Sequence, residues 1–192
     1  MKDGMWVAIT LDNLAEVLLL RNEGDAATNY LYATLNHGTP LYSWCEERGQ
    51  EAGAKECTGD RQHLWTPVAV GRYIRDALVM EDGDTLHLAR GSARQWLTNG
   101  QTLGVEGIAS HFGDVSFALR YDPSLQHISG FLELPPDRIA PRVVVHVRLP
   151  GGLKIKTSAD LANATVGADG ESVEWWNVSG KIAFEIPIQP QE

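Results

Sequence analysis

Glu81-Asp82-Gly83-Asp84-Thr85-Leu86-His87-Leu88 is the stretch on which the fold turns. Asp82-Gly83-Asp84 is turn chemistry, because glycine supplies a positive φ and aspartate bonds its own backbone. The spacing of apolar residues changes across it. Upstream, Leu64, Val68, Tyr73, Ala77 and Leu78 suit one stripe of a helix,. Downstream, apolar and polar residues alternate, as on a half-buried strand.

Working downstream, strands are predicted near Thr85–Ala89, Thr102–Ile108, Val115–Tyr121, His127–Leu134, Arg142–Leu149, Leu153–Ala159, Val173–Asn177 and Lys181–Ile188,. Their separators are turn formers: Asn99-Gly100, Phe112-Gly113-Asp114, Asp122-Pro123, Pro135-Pro136-Asp137, Pro150-Gly151-Gly152, Asp169-Gly170 and Ser179-Gly180,. Short strands with such punctuation predict an antiparallel β-sandwich of about eight strands. Val143-Val144-Val145-His146-Val147 is almost continuously apolar and suits a central strand,. Trp175 and Trp176 fall on opposite faces of one strand, so one ring points inward and one outward. Ser92 to Leu97 suits a short helix burying Trp96.

Working upstream, Asp12 is a candidate N-cap, followed by Leu14, Val17 and Leu18, with Gly24 as a stop,. A second helix is predicted over Asp25–Asn36 and a third from Gly59-Asp60 to about Met80, kinked at Pro67 or beginning there,. The expected organisation is therefore mainly β with an α-helical N-terminal part: about three helices over residues 1–82, then a sandwich over 83–192.

Composition narrows the function classes. The 192 residues carry 25 acidic and 16 basic side chains, a formal charge of −9. So acidic a chain lacks the electrostatic footprint for duplex DNA or anionic lipid, so neither nucleic acid nor membrane is an expected partner. Two cysteines make no disulfide framework, and Cys45 and Cys57 show no paired C-x-x-C knuckle, so no metal and no cofactor are expected,. Met1-Lys2-Asp3-Gly4 is not followed by an apolar signal-type stretch, which makes the cytoplasm the default compartment,.

Chemistry concentrates in the long connection from Gly38 to Asp60. Helix–helix connections are normally short, and long ones inside a compact domain are more often functional. This one combines Tyr42 and Trp44 with Glu46, Glu47, Arg48 and both thiols, then leads into Asp60, His63 and Trp65. Indole faces beside carboxylates suit sugars, whose C–H faces stack and whose hydroxyls bond Glu, Arg and His. Glycoside hydrolysis needs two carboxylic groups, and Glu46 or Glu47 is the candidate for one.

Three runs carry a resemblance: Trp44-Cys45-Glu46-Glu47-Arg48-Gly49, Gly59-Asp60-Arg61-Gln62-His63-Leu64-Trp65-Thr66-Pro67, and Arg75-Asp76-Ala77-Leu78-Val79-Met80-Glu81-Asp82. They look like the last helices of bacterial six-hairpin glycosidases of the α-L-rhamnosidase-like kind, in which an (α/α)6 barrel precedes a β-sandwich. His111-Phe112-Gly113-Asp114-Val115-Ser116 resembles the sandwich itself. The resemblance implies a cleft role for Trp44, catalytic duty for Glu46 with Glu47 as substitute, and a sugar contact from His63; the chemistry of Arg48 and Trp65 adds them as candidate sugar contacts,. It also implies a departure: about three helices stand where the family has twelve, so the opposing acid is missing. The expected molecule is a carboxy-terminal portion of a glycosidase, inactive alone, whose partners are carbohydrate and either missing barrel helices or a second copy of the chain. Two rival readings are a non-catalytic glycan-binding sandwich and a structural protein self-associating through Leu14, Leu18, Leu31 and Leu35.

Overall fold

The computed structural model describes residues 4–49, 56–98, 100–156, 161 and 163–190. Residues 1–3, 50–55 of the long connection, Asn99 of the Asn99-Gly100 turn, and residues 157–159 of the strand expected over Leu153–Ala159 lie outside that description. The chain divides into two compact units, Met1–Ala77 and Leu78–Glu192.

The first unit holds a small sheet and three helices. Strands β1 (Gly4–Trp6), β2 (Glu47–Gly49) and β3 (Cys57–Thr58) pair antiparallel in that order. Helix α1 covers residues 7–20, with a π-helical stretch at Thr10–Ala15 between two α-helical ones. It therefore begins before Asp12, which lies inside it and caps nothing. Val7, Leu11, Ala15 and Leu19 are fully buried at intervals of four, and this stripe, rather than a cap, holds the helix,. Helix α2 (Gly24–Asn36) buries Ala27 and Leu31. Helix α3 (Trp65–Leu78) starts two residues before Pro67, whose missing N–H costs nothing in a first turn,. Asp60 lies upstream of it, where its Oδ1 accepts the Gln62 N–H at 3.1 Å and closes a turn instead of capping α3. Arg72 on α3 forms a two-point ion pair with Glu16 on α1, at 2.6 and 2.9 Å.

The second unit is the β-rich part. Strands β4 (Val79–Asp82), β5 (Thr85–Leu88), β9 (Ala140–His146), β11 (Ala164–Val166) and β12 (Ser172–Val178) form one five-stranded sheet, ordered β11-β12-β9-β5-β4. Strands β6 (Thr102–Ser110), β7 (Gly113–Asp122), β8 (His127–Glu133), β10 (Leu153–Ile155) and β13 (Lys181–Pro190) form the other, ordered β10-β13-β8-β7-β6. Inward residues of both sheets merge in one apolar core that includes Leu86, Val143 and Trp175 from the first and Phe117, Ile128 and Ile186 from the second. The chain is thus mainly β with a helical N-terminal part. β9 is the middle strand of its sheet, and Val143, Val144, Val145 and His146 are all buried. Among the described residues every pairing in the two sheets is antiparallel except β5 with β9, which run parallel from Thr85↔Arg142 to Leu88↔Val145. The Ser92–Leu97 helix is a single 3₁₀ turn at Arg94–Leu97 that buries Leu97, while Trp96 is only half-buried.

Candidate functional site

The connection between α2 and α3 is organised by its own backbone. The Trp44 carbonyl accepts the His63 N–H at 2.8 Å, and the Glu46 N–H donates to the Asp60 carbonyl at 2.9 Å. These bonds clasp the Trp44–Glu46 segment against the Asp60–His63 segment, two motifs some fifteen residues apart in sequence. The Glu46 carboxylate accepts the Asp60 N–H at 3.3 Å and lies over Gly59. Gly59 adopts φ +70°, and a Cβ there would fall 2.2 Å from that carboxylate, so the turn requires glycine,.

Trp44 is not a stacking platform, contrary to expectation. It is 3% exposed, its Nε1–H donates to the Thr34 carbonyl at 2.7 Å, and its ring packs so closely on Gly38 that a Cβ would sit 2.8 Å away. Glu47 also departs from its expected role. Its carboxylate accepts the Thr58 hydroxyl at 2.6 Å and the Trp6 indole N–H. These bonds, Thr58 first, lower its pKa from 4.5 to about 2,. A carboxylate so held is neither a proton donor nor an effective base near neutrality. We expect the Glu47 carboxyl to titrate near 2 in a ¹³C NMR pH series. A midpoint in the ordinary range would mean that those bonds are not kept in solution.

Trp65 is 64% exposed, and the His63 ring lies 5.2 Å from it at 44°. His63 Nδ1 is buried without a hydrogen-bond partner. Arg48 belongs to a different group. It lines a cavity of about 340 Å³ with His37, Thr39, Ser43, Cys45, Cys57 and Arg61. Both cysteines are free thiols. The Cys45 thiol donates to the Glu47 carbonyl at 3.1 Å. Burial, then contact with the Cys45 thiol, pushes the Cys57 thiol up against the opposing pull of Arg48 and Arg61. Among the described residues no three His, Cys, Asp or Glu side chains converge as metal ligands.

The structure thus clasps the Glu46 segment against the segment that carries His63 and sets the His63 ring beside Trp65, places Arg48 in the thiol-lined cavity, commits Trp44 to packing and holds the Glu47 carboxylate in hydrogen bonds to Thr58 and Trp6. Sequence reasoning passed over His37, read only as a helix terminator, and Arg61. Their convergence depends on the β2–β3 pairing, which no local pattern announces. Compared with known proteins, the chain matches no family model and no curated protein.

Proposed function

We propose that the chain is the carboxy-terminal part of a six-hairpin-type glycoside hydrolase, whose helical unit supplies one wall of the sugar cleft and whose sandwich is accessory. The observation that carries this reading is the clasp of Trp44–Glu46 on Asp60–His63. It holds the Glu46 segment against the segment that carries His63, whose ring lies 5.2 Å from the exposed Trp65, side chains suited to bonding sugar hydroxyls and stacking a sugar ring. Glu46 is the carboxylate that orients sugar or activates water; Glu47 has no part in the chemistry. The opposing acid comes from elsewhere, because one carboxylate supplies half the mechanism.

The need for further helices has its own support. Of 14 exposed large apolar side chains among the described residues, 11 lie in the first unit, including Leu14, Val17, Leu64 and Val68. Helix faces of this kind ask for a covering layer. The self-association face Leu14, Leu18, Leu31 and Leu35 is a poorer account, since Leu31 is 2% exposed and packs within its own unit. The glycan-binding sandwich is also disfavoured. Arg142 covers the exposed Trp176 ring at 5.3 Å, and Lys181 covers Phe131 at 4.3 Å, so both outward rings already hold a cation.

Saturation-transfer NMR with methyl pentosides and hexosides tests the reading. Weak binding is expected, with Kd near ~1 mM, about −4 kcal/mol. Trp65→Ala should abolish it and Trp176→Ala should leave it intact. Loss on Trp176→Ala alone would transfer the activity to the sandwich, and no transfer to any glycoside would sink the sugar reading. Aryl glycosides should not be turned over by this chain; robust turnover would refute the claim of a missing acid.

A further inference from the structure

We propose that the cavity between α2 and the β2–β3 pair is an anion site, which takes the carboxylate or phosphate of a small ligand. It stands whether or not the sugar reading holds. In a chain of formal charge −9, this cavity presents two guanidiniums and has no carboxylate among its described lining residues. No described side chain forms an ion pair with Arg48 or Arg61. Among the described residues Arg48 reaches only the Cys45 sulfur, at 4.0 Å, and its Nε is buried with no hydrogen-bond partner. A buried cationic donor left unpaired is costly, and an oxyanion is the acceptor that satisfies it, often by a two-point bond.

The neighbouring polar groups are arranged to add to this. The Thr39 hydroxyl oxygen accepts the Leu41 and Ser43 N–H groups at 3.2 and 3.3 Å and lies 2.8 Å from the Ser43 hydroxyl. Thr39 therefore gives its proton to Ser43, and the Ser43 O–H is left to donate onward. On His37, Nδ1 donates to the Ala33 carbonyl at 2.6 Å, so in the neutral ring Nε2 carries the lone pair; it is buried and has no partner. It accepts a ligand hydroxyl. Guanidiniums for an oxyanion, a hydroxyl donor and an imidazole acceptor within about 340 Å³ suit a ligand of monosaccharide size that bears one acidic group,.

Cys57 lines the same cavity and is half-exposed, so its alkylation reports on the field there. The experiment compares iodoacetate with iodoacetamide on the full chain, with the modified peptide quantified by mass spectrometry. The anionic reagent should be favoured by about tenfold over its ratio at free cysteine, the lower end of electrostatic focusing. Arg48→Gln and Arg61→Gln should each erase most of that preference, and Lys181→Gln should leave it unchanged. Arg61 is exposed, so its replacement does not threaten the fold. A ratio equal to that of free cysteine, or a preference unmoved by Arg61→Gln, overturns the proposal. Protection separates the sources: glucuronate or galacturonate protecting where glucose does not supports an acidic sugar, equal protection by inorganic phosphate supports a general oxyanion site, and no protection by any of them overturns it. None of these outcomes depends on Trp65, so the anion site and the glycoside wall fail separately.

Discussion

Trp175→Ala is expected to lower the unfolding free energy by about 3–5 kcal/mol, the usual cost of truncating a fully packed aromatic. Trp176→Ala, one residue on, should cost less than about 1 kcal/mol. The contrast follows from strand geometry. β12 sends Trp175 into the core, 3% exposed, and Trp176 outward, 60% exposed. Trp175 sits opposite Val143 on β9 and Ala164 on β11, and its ring lies 5.1 Å from Phe184 on β13, at 36°. Because β12 and β13 belong to different sheets, this contact ties the two layers together. Removing the indole leaves a void that both sheets line, and closing it would require them to shift together. Trp176 loses only an exposed face beneath Arg142. Guanidinium unfolding of the full chain, followed by far-UV circular dichroism, reads both changes. Equal losses would mean that the inward ring does not hold the layers.

The same alternation explains why the sandwich was legible from sequence. Strands β7, β8, β9, β12 and β13 each carry inward apolar residues at period two, or continuously in β9, and turn formers bound them,. Two features were not legible. Val79–Asp82 looks like the end of α3 because Leu78-Val79-Met80 satisfies both periods; pairing with Thr85–Leu88 across the Gly83 turn decides for strand. The parallel β5–β9 pair joins residues more than fifty apart, and hydrophobic pattern alone does not reveal a partner at that distance,. The start of α1 was misplaced for a local reason. A cap signal at Asp12 outweighed the Val7-Leu11-Ala15-Leu19 stripe, half of which precedes it, yet burial of that stripe decides the helix,.

In the long connection, sequence located the polar and aromatic residues but not their directions. Trp44 and Trp65 carry the same side chain with opposite fates, because Gly38 opens room for one ring against α2 while the first turn of α3 carries the other into solvent. Adjacent Glu46 and Glu47 likewise diverge, one toward Gly59-Asp60 and one toward Trp6 and Thr58. Those directions depend on residues forty positions away and on a two-residue strand, information that spacing does not hold.

Acidification should destabilise the protein between pH 6.5 and about 4, through two histidines that sequence reading left unassigned. His87 on β5 and His146 on β9 meet inside the second unit, Nδ1 to Nε2 at 3.0 Å, both buried. Their environment is already cationic: Arg90, Arg142 and Arg148 act on the pair, opposed by Asp82. Burial first, then those charges, lowers His87 from 6.5 to about 4, and pushes His146 well below its ordinary value,. The neutral pair shares one proton between facing nitrogens; a second proton would set two donors against each other. In the unfolded chain both rings titrate near 6.5, so below that pH the unfolded state binds protons that the folded state refuses, and stability falls as pH falls. The displacement of His87 alone corresponds to roughly 3 kcal/mol once pH reaches its folded value, and His146 adds in the same direction. Carboxylates with lowered pKa, such as Glu171, act only as pH drops toward and below their ordinary value of 4.5. Between pH 6.5 and 5 those lowered carboxylates are silent, and the double replacement assigns the slope to the two imidazoles. Urea midpoints across that interval should fall steadily for the wild type and stay level for a His87→Leu/His146→Leu variant, which removes both facing nitrogens together and strands neither. A slope that survives the double replacement would place the acid-sensitive groups elsewhere.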